Sequence, residues 1–279
     1  MNLIIIGCGY VGSAVASYWR DRSDHRVWAT TTTPDRLPEL EAIAHRALVL
    51  TGTDRDALQQ ALQDQEGIVL TLAPTSDRQV DADCYEATYL HTAQTLVAAL
   101  EQTPSVKQII YTSSCAVYGD RHGDWVTETD PIDPSDRHSE VLFETEQVLL
   151  SAAGPTLQVC ILRLGALHGP GRELGQRCRR VAGTTRPGTG EFFTNWVHLG
   201  DVVAAIDLAI AQRLQGIYNL VNDDPLTLRD LFDRVCRQYN LPPVTWDPSQ
   251  AKSTPANRRI SNQKLKQAGY SLMHPETEL

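Results

Sequence analysis

Short apolar runs and amphipathic stretches alternate along the first 164 residues of the chain. The apolar runs predict strands at residues 2–6, 26–29, 47–50, 68–72, 108–112 and 158–164. The spacing of apolar positions predicts helices between and after them, at residues 13–19, 54–63, 81–102 and 138–151. Because strands that alternate with helices pair in parallel, we predict an α/β fold with a Rossmann-type doubly wound parallel sheet.

The composition is that of a globular protein with small-molecule partners. The chain has 279 residues, of which 42% are hydrophobic, enough for one large α/β domain and a smaller lobe. Its net charge of -9 argues against binding to nucleic acid or anionic lipid, because both require surplus positive charge. No apolar run approaches the roughly 20 residues that a membrane helix needs. We therefore expect no nucleic acid and no membrane among its partners.

The six cysteines are scattered along the chain without a Cys-x-x-Cys pair, and no cluster of histidines accompanies them in the sequence. We therefore expect neither a metal site nor a disulfide framework. This use of cysteine fits a reducing, cytoplasmic location best.

The first predicted strand leads directly into a glycine-rich turn, which reads GCGYVG from Gly7 to Gly12. Strand, turn and helix in this order predict a dinucleotide site. In such a site Gly7 makes the tight turn, Gly9 lets the pyrophosphate approach the backbone, and Gly12 lets the helix pack on the strand. Tyr10 and Val11 lie at the positive end of the helix, whose N–H groups favour an anion. The alternative is a glycine-rich turn without a ligand.

The second predicted strand bears on the choice between the two nicotinamide cofactors. An acid at its end would bond the ribose 2′-OH of NAD and repel a 2′-phosphate, but the strand runs into threonines instead. The hydroxyls of Thr30 and Thr31, together with Arg36, suit a 2′-phosphate, which favours NADP over NAD. The alternative is a solvated threonine turn with Arg36 at the surface. Ala73 and Pro74 follow the fourth strand, where we expect the adenosine half of the cofactor.

The fifth predicted strand runs into the segment from Tyr111 to Gly119, which reads YTSSCAVYG. This segment closely resembles the strand and loop that carry the active-site serine in the extended short-chain dehydrogenase/reductase family. That family comprises epimerases, dehydratases and reductases of nucleotide sugars and related compounds. The resemblance implies that Ser114 is the family serine and that Ser113 contributes to the cofactor site. Alternatively, Ser114 is a capping hydroxyl at the end of the strand.

Four later segments resemble the same family and follow in the family's order. They read LRLGALHGPG at residues 162–171, WVHLGDVV at 196–203, GIYNL at 216–220 and RISNQKLKQAGY at 259–270. The resemblance therefore extends from residue 4 to residue 270. It implies a dinucleotide-binding domain of residues 1–164 and 196–222, with a smaller substrate lobe of residues 165–195 and 223–279.

The chain departs from the family at the residues that usually exchange protons. The family places Tyr-x-x-x-Lys on the helix after the serine, and the matching positions hold His138 and Leu142. Leucine has neither the charge nor the donor of the lysine. Tyr89 stands where many members have asparagine. The resemblance thus implies the atypical subgroup, which keeps the architecture without the usual catalytic residues.

His138 is a candidate general acid or base, because imidazole exchanges protons near neutral pH. A lone histidine at the start of a helix is alternatively a surface group or part of the first turn. The catalytic candidates are therefore Ser114 and His138.

Further residues are candidates for contacts with the substrate. Tyr118 and His168 are either structural residues or ligand contacts. Arginines are dense after Gly171, at Arg172, Arg177, Arg179, Arg180 and Arg186. Among them, Arg172 and Arg180 are candidates for holding an anionic ligand such as a diphosphate or a carboxylate, since guanidinium groups form paired bonds to both. The alternative is a solvated helix face.

The leading hypothesis is a cytoplasmic, NADP-dependent oxidoreductase or epimerase-like protein with an unconventional active site and a small anionic or sugar-like substrate. The first alternative is a non-catalytic NADP(H)-binding sensor or scaffold, and the second is a domain that has lost cofactor binding. We expect a monomer or a homodimer, since family members often dimerise through the helices that match residues 81–102 and 138–151.

Overall fold

The structure is a computed structural model that describes residues 1–74, 81–251 and 255–279, with the side chain of Arg177 outside the described part. The chain forms two compact units. The first consists of Met1–Ser114, Asp136–Arg163 and Val203–Tyr218; the second consists of Cys115–Ser135, Leu164–Val202 and Asn219–Leu279. The division into a cofactor domain and a substrate lobe, whose boundaries differ from these, stays a prediction.

The strands follow the apolar runs of the sequence. They are β1 (Asn2–Ile6), β2 (Arg26–Thr31), β3 (Arg46–Val49), β4 (Gly67–Leu70), β5 (Gln108–Ser114), β6 (Trp125–Val126), β7 (Gln158–Leu164), β8 (Ala166–His168), β9 (Thr185–Pro187), β10 (Phe193–Thr194), β11 (Trp196–His198), β12 (Gly216–Leu220), β13 (Leu226–Thr227), β14 (Thr245–Asp247) and β15 (Arg259–Ile260).

The α-helices occupy the amphipathic stretches between the strands. They are α1 (Tyr10–Arg22), α2 (Leu37–Glu41), α3 (Arg55–Ala61), α4 (Ala82–Glu86), α5 (Thr92–Leu100), α6 (Arg137–Ser151), α7 (Leu174–Arg179), α8 (Leu199–Gln212), α9 (Leu228–Gln238) and α10 (Gln263–Gln267). A π-helical segment, Ala87–His91, joins α4 to α5. Short 3-10 turns lie at Pro34–Arg36, Cys115–Tyr118 and Pro248–Gln250.

Seven strands form one sheet in the order β12-β7-β5-β4-β1-β2-β3. The strand β1 lies near the centre and pairs in parallel with β2 and β4, so that Ile4 stands between Trp28 and Ile68. Residues Leu3 to Ile6 are at most 2% exposed, as expected for a strand whose two faces are both covered by helices. The predicted Rossmann-type fold is confirmed.

Most element bounds agree with the sequence pattern to within two residues. The strands β1, β7 and β12 begin and end where they were expected, whereas β2 and β5 extend two residues further, to Thr31 and Ser114. The expected helix at residues 81–102 is present but contains the π-helical segment. The spacing of apolar residues does not reveal that segment, because one wider turn barely changes the buried face of a long helix.

The second unit is built from short strand pairs and three helices around its own core. The pairs are β10 with β13, β11 with β8, β14 with β9, and β15 with β6. The buried core residues are Leu174, Cys178, Trp196, Leu226, Leu231, Phe232, Val235, Cys236 and Val244. The segment at residues 259–270 contains strand β15 before the short helix α10, because Arg259 N bonds Asp124 O (2.9 Å) beside β6.

All six cysteines are free thiols. In the part of the chain that the structure describes, no helix has the length and apolar character to cross a membrane.

Candidate functional site

The glycine turn joins β1 to α1 and has no room for a side chain at its first position. Gly7 has φ of +89°, a value that L-residues rarely adopt. A Cβ at Gly7 would lie 3.0 Å from the carbonyl oxygen of Thr71. The N–H of Gly7 donates to the hydroxyl of Thr30 (3.1 Å), and the N–H of Cys8 donates to the Thr30 carbonyl (2.8 Å). The turn is therefore held from the end of β2.

The other two glycines of the turn have opposite surroundings. A Cβ at Gly12 would lie 2.6 Å from Thr71 Oγ1 and 2.8 Å from Gly7 O, so only glycine allows α1 to pack this closely on β1 and β4. Around Gly9, in contrast, a Cβ would meet no atom within 4 Å. Gly9 is the N-cap of α1, and the first turn of that helix carries no acid. The arrangement leaves an open, electropositive position beside the backbone, which fits a pyrophosphate.

Arg36 lies at the same turn, and its guanidinium contacts both the turn and a carboxylate. Its Nη1 donates to Cys8 O (2.6 Å), and its Nη2 lies 3.4 Å from Ser13 Oγ. Nη2 and Nε also donate to the two oxygens of Glu39, at 2.8 and 3.2 Å. This paired bond raises the pKa of Arg36 and lowers the pKa of Glu39. Sequence reasoning missed Glu39, which lies eight residues after the end of β2.

The remaining predicted cofactor contacts lie at strand ends. Thr30 and Thr31 are buried, and the Thr31 hydroxyl accepts from Thr33 N (3.1 Å). Ala73 is exposed and Pro74 half-buried, three and four residues after the end of β4. Tyr10 is half-buried and Val11 buried in the first turn of α1.

The end of β5 is tied to a buried ion pair. The Ser113 hydroxyl donates to Glu146 Oε1 (2.6 Å), and Arg163 Nε donates to the same oxygen (3.0 Å). Glu146 is fully buried on α6 and Arg163 is 1% exposed on β7. The pair therefore connects three elements beneath Ser114, the half-buried last residue of β5.

His138 lies in the first turn of α6, against the ring of Tyr85. The two ring centroids are 4.5 Å apart with an interplanar angle of 80°, and Tyr85 is in turn 4.5 Å from Tyr89. Neighbouring residues hold this arrangement, because Arg137 Nη2 donates to Glu86 (2.8 Å) across the two helices. Tyr85 was missed from the sequence, although its spacing of four from Tyr89 was a signal that the two rings meet on one helix face.

Burial raises the pKa of Tyr85 above its ordinary value and that of Tyr89 well above it. Both phenols are therefore protonated at neutral pH and can donate hydrogen bonds but not accept a proton as phenolates. Leu142, one turn after His138 on α6, is 5% exposed. That this apolar side chain stands where the family has lysine stays a prediction.

In the second unit, the predicted ligand contact Tyr118 is part of the interior. Its ring is fully buried, and its hydroxyl donates to Asn219 Oδ1 (2.7 Å). Asn219 in turn donates from its Nδ2 to Ser261 O (3.1 Å). The Tyr118 hydroxyl is therefore hydrogen-bonded inside the second unit.

His168 and His198 lie side by side on the paired strands β8 and β11. Their ring centroids are 5.2 Å apart, and the ring of His274 stacks on His198 at 3.7 Å. Burial, reinforced by His198, lowers the pKa of His168 to about 4; burial and His274 lower the pKa of His198. Glu278 Oε1 lies 2.5 Å from His274 Nδ1. Sequence reasoning did not bring His274 and Glu278 to this cluster, because they are more than a hundred residues from His168.

The predicted anion-binding arginines Arg172 and Arg180 are exposed, at either side of α7. Between them, the guanidinium of Arg179 lies 4.0 Å over the ring of Tyr239. Glu173 accepts from Gly171 N (2.9 Å), which lowers the pKa of that carboxyl. The side chain of Arg177, which belongs to the same run of arginines, lies outside the described part of the chain.

The second unit also contains a cavity of about 390 Å³ that the sequence did not predict. It is lined by Trp125, Asn195, Val221, Asn222, Asp223, Pro225, Ile260, Ser261, Asn262, Gln263 and Lys266. None of the four predicted substrate contacts lines it. Lys266 at its rim bonds Asp223 (2.6 Å).

The family follows from comparison with known proteins. The family model described as NAD dependent epimerase/dehydratase family matches residues 3–220. The chain belongs to this family. The resemblance to extended short-chain dehydrogenases/reductases is thereby confirmed, while the atypical subgroup stays a prediction.

Relatives cover most of the chain. Protein YeeZ of Escherichia coli K12 is 36% identical in an alignment of 226 positions that covers 78% of this chain and 77% of YeeZ. The UDP-glucose 4-epimerase of Thermotoga maritima, solved with UDP-glucose, has a TM-score of 0.78 at 20% identity and covers 98% of this chain and 94% of its own. The UDP-glucuronic acid 4-epimerase of Bacillus cereus, solved with NAD, has a TM-score of 0.80 at 16% identity, with coverages of 98% and 94%. At these identities the two structures establish a shared fold.

Proposed function

We propose that this family member is an enzyme that binds a nicotinamide dinucleotide at the glycine turn, prefers NADP, and acts as an oxidoreductase or epimerase with a non-standard active site. The observation that carries the proposal is the contrast between Gly9, where a side chain would meet nothing within 4 Å, and Gly12, where it would clash at 2.6 Å. Packing alone explains Gly12. An open glycine at the start of a helix is explained by a ligand that approaches the backbone.

In this proposal the first turn of α1 holds the pyrophosphate, and Ala73 and Pro74 lie beside the adenosine half. The bound nicotinamide would supply hydride transfer to or from a carbon of the substrate. The protein itself contributes orientation and proton exchange. Ser113 acts indirectly in our proposal, since its hydroxyl is bonded to Glu146 (2.6 Å) and holds the end of β5 in place.

The preference for NADP rests on Arg36. Its bond to Cys8 O and its contact with Ser13 Oγ keep the guanidinium at the turn. Guanidinium groups bind phosphate through paired hydrogen bonds. Glu39 opposes this preference, because its carboxylate already accepts from Arg36 at 2.8 Å. We propose that the 2′-phosphate displaces Glu39 from Arg36.

Proton exchange is assigned to His138, with Ser114 as a hydrogen-bond partner of the substrate. Tyr85 packs against the imidazole at 4.5 Å and restricts its orientation. Because the pKa of Tyr85 is raised by burial, we give the phenol no role as a base. This division of roles replaces the tyrosine and lysine of the usual family members by one imidazole.

The substrate class that we propose is a sugar nucleotide or another small anion. The support is family membership together with the relatives that act on UDP-sugars, and the exposed Arg172 and Arg180 would hold the charged part. Further proposals are a cytoplasmic location, the cofactor and substrate domains divided as the sequence predicts, and a monomeric or homodimeric state.

The cofactor proposal is tested by a glycine pair. Gly9→Val fills the open position, whereas Gly154→Val is a matched control, because a Cβ at Gly154 likewise meets nothing within 4 Å. Each purified variant is heated with NADPH, NADH or no nucleotide, and its folding is checked by circular dichroism. A ligand at a hundredfold excess over its Kd stabilises a folded protein by about 2.7 kcal/mol.

We expect NADPH to raise the Tm of the wild type and of Gly154→Val but not of Gly9→Val, with all three equally folded. A wild type that neither nucleotide stabilises would overturn the cofactor proposal. A folded Gly9→Val variant that keeps its nucleotide-dependent Tm shift would show that the turn is not the binding site.

A further inference from the structure

A cluster of metal-ligating side chains lies in the second unit and includes none of the residues that the proposed function uses for cofactor or proton exchange. Its members are His198, His274 and Glu278, with ligand atoms that all lie within 4.8 Å of one another. His168 adjoins His198 at 5.2 Å. Three of the chain's eight histidines thus meet at one place.

A buried carboxylate brings the two halves of the cluster together. Asp201, in the first turn of α8, is fully buried and accepts from Tyr270 Oη (2.7 Å), Met273 N (2.7 Å) and His274 N (3.1 Å). These bonds anchor the segment that carries His274 and Glu278 beside the turn that carries His198. His198 and His274 are therefore brought together by the fold, whereas Glu278 is an exposed side chain that reaches His274.

The hydrogen bonds determine which ring nitrogens have lone pairs. His198 Nδ1 accepts from Gly200 N at 3.1 Å, so this nitrogen carries no proton. His274 Nδ1 is 2.5 Å from the Glu278 carboxylate and donates its proton there, which leaves the lone pair on Nε2. A carboxylate that orients a histidine in this way is common at metal sites.

Gly200 leaves space between these two nitrogens. A Cβ at Gly200 would lie 3.1 Å from His198 Nδ1 and 3.4 Å from His274 Nε2. Gly200 is in helix α8 without a positive φ, so the backbone does not require glycine there. The space that a methyl group would fill is next to both lone pairs.

The histidine next to His198 has a buried nitrogen without a hydrogen-bond partner in the described part of the chain. His168 is 2% exposed, and among the described residues its Nε2 has no hydrogen-bond partner. A buried polar atom usually has one, because leaving it without a partner costs about 1–3 kcal/mol. An ion or its water beside the cluster would supply one.

We propose that His198 Nδ1 and His274 Nε2 bind a divalent transition-metal ion, with Gly200 providing the space for it and Glu278 orienting the His274 ring through its bond to Nδ1. Imidazole donors suit Zn²⁺, with water as a further ligand, and tetrahedral bonds of about 2.0–2.2 Å place donor atoms about 3.4 Å apart. The donors, now within 4.8 Å, need only small side-chain movements. The ion takes the place of Gly200 N–H as the partner of His198 Nδ1.

The test measures binding of Zn²⁺ alone to the full chain after treatment with a chelator. All proteins carry Cys84→Ser, because Cys84 is an exposed thiol that could bind zinc by itself. The site variants are His274→Asn, Glu278→Gln and Gly200→Ala. The matched control is His122→Asn, since His122 also lies near a carboxylate, Asp120 at 3.2 Å, but is 90% exposed and outside the cluster.

Isothermal titration with Zn²⁺ should show one site per chain, and Co²⁺ should give the absorption of nitrogen and oxygen ligands without a thiolate band. We expect His274→Asn and Gly200→Ala to weaken binding by about tenfold or more, and His122→Asn to leave it unchanged. Gly200→Ala removes no ligand and suits a helix, so it decides the question if His274→Asn fails to fold.

A wild type that takes up no Zn²⁺ would overturn the proposal. So would equal affinities in the wild type and in the folded Gly200→Ala and Glu278→Gln variants. Neither result depends on nucleotide binding, so the metal proposal and the proposed function fail separately.

Discussion

At the scale of single residues, the cofactor preference depends on the competition between Glu39 and a phosphate for Arg36. The carboxylate holds the guanidinium through two bonds, at 2.8 and 3.2 Å. Glu39 is largely exposed, with a side-chain exposure of 58%, and an exposed ion pair of this kind is worth at most about 1 kcal/mol. A 2′-phosphate, with more charge and more acceptor oxygens, has more to gain from the same guanidinium.

We therefore predict that Glu39→Gln strengthens NADPH binding, whereas Arg36→Ala weakens it by about 1–3 kcal/mol and leaves NADH binding nearly unchanged. Titration calorimetry with both nucleotides measures these effects. Glu41→Gln is the control, since Glu41 is an exposed acid on the same helix that makes no bond to Arg36 among the described residues. Equal affinities for the two nucleotides, unchanged in Arg36→Ala, would contradict the preference for NADP.

At the scale of elements, the helix that carries His138 depends on a capping box. The Asp136 carboxylate accepts from Ser139 N (2.8 Å), and Asp136 N donates to Ser139 Oγ (3.2 Å). The bond from Ser139 N lowers the pKa of Asp136. A lowered pKa in the folded state means that the charged cap stabilises the protein above the unfolded pKa of about 3.9. That stabilisation is lost as the pH falls through the folded pKa.

Asp136→Ala should therefore lower the free energy of unfolding by about 1 kcal/mol at pH 7, and by less below about pH 4 as the wild-type cap becomes protonated. Urea titrations of both proteins at several pH values measure the difference. A difference that stays constant down to pH 3 would show that the charge of Asp136 contributes nothing.

A second element-scale prediction concerns the buried pair that joins β5, β7 and α6. Glu146→Ala leaves the Arg163 charge buried without its carboxylate and should cost about 3–5 kcal/mol in unfolding free energy. The double variant Glu146→Leu with Arg163→Met should cost much less, because neither charge is then buried. Glu101→Ala is the control: its pair with Arg55 is long (3.7 Å) and exposed, so its effect should be within about 0.5 kcal/mol. Equal costs for Glu146→Ala and the double variant would contradict this account.

The elements themselves could largely be predicted from the sequence, since runs such as residues 2–6 are apolar because the strand is buried on both faces. The glycine turn could also be predicted, because Gly7 and Gly12 have local geometric causes. The contacts of Arg36 with Glu39 and of His138 with Tyr85 were not predicted. The first is an i,i+3 pair at the start of α2, a short helix that was not predicted, and the second depends on how α4 and α6 pack. The spacing of apolar residues also does not reveal the π-helical segment that carries Tyr89.

At the scale of the whole molecule, the family resemblance predicts a scaffold of the epimerase/dehydratase family without the usual tyrosine and lysine. In that prediction His138, in the first turn of α6, stands for the tyrosine, and Leu142, which is 5% exposed, stands for the lysine. The open Gly9 is the position that we propose for the pyrophosphate. Together these features leave two hypotheses, an enzyme that uses imidazole or a protein that only binds the nucleotide.

The variant His138→Ala distinguishes the two hypotheses. If the imidazole exchanges the proton, its loss should lower kcat by about 10²–10⁴-fold, while the Kd for NADPH should not change, because the ring lies outside the glycine turn. The measurement is turnover of a panel of carbonyl compounds and sugar nucleotides by the wild type and the variant. His91→Ala serves as control, since His91 is about half exposed and its nearby acid is Glu86, which also contacts Arg137.

A complementary test introduces the tyrosine and the lysine of the family at positions 138 and 142. His138→Tyr alone should be poorly active, because an unassisted phenol has a pKa near 10; His138→Tyr with Leu142→Lys should oxidise NADPH faster than either single variant. A lysine at this buried position is expected to have a lowered pKa, so the gain should appear first at the pH where it becomes charged, as the pH is lowered. An inactive wild type together with an active double variant would favour the hypothesis of a protein that only binds the nucleotide. Wild-type activity that survives His138→Ala would instead assign the proton exchange to a group other than His138.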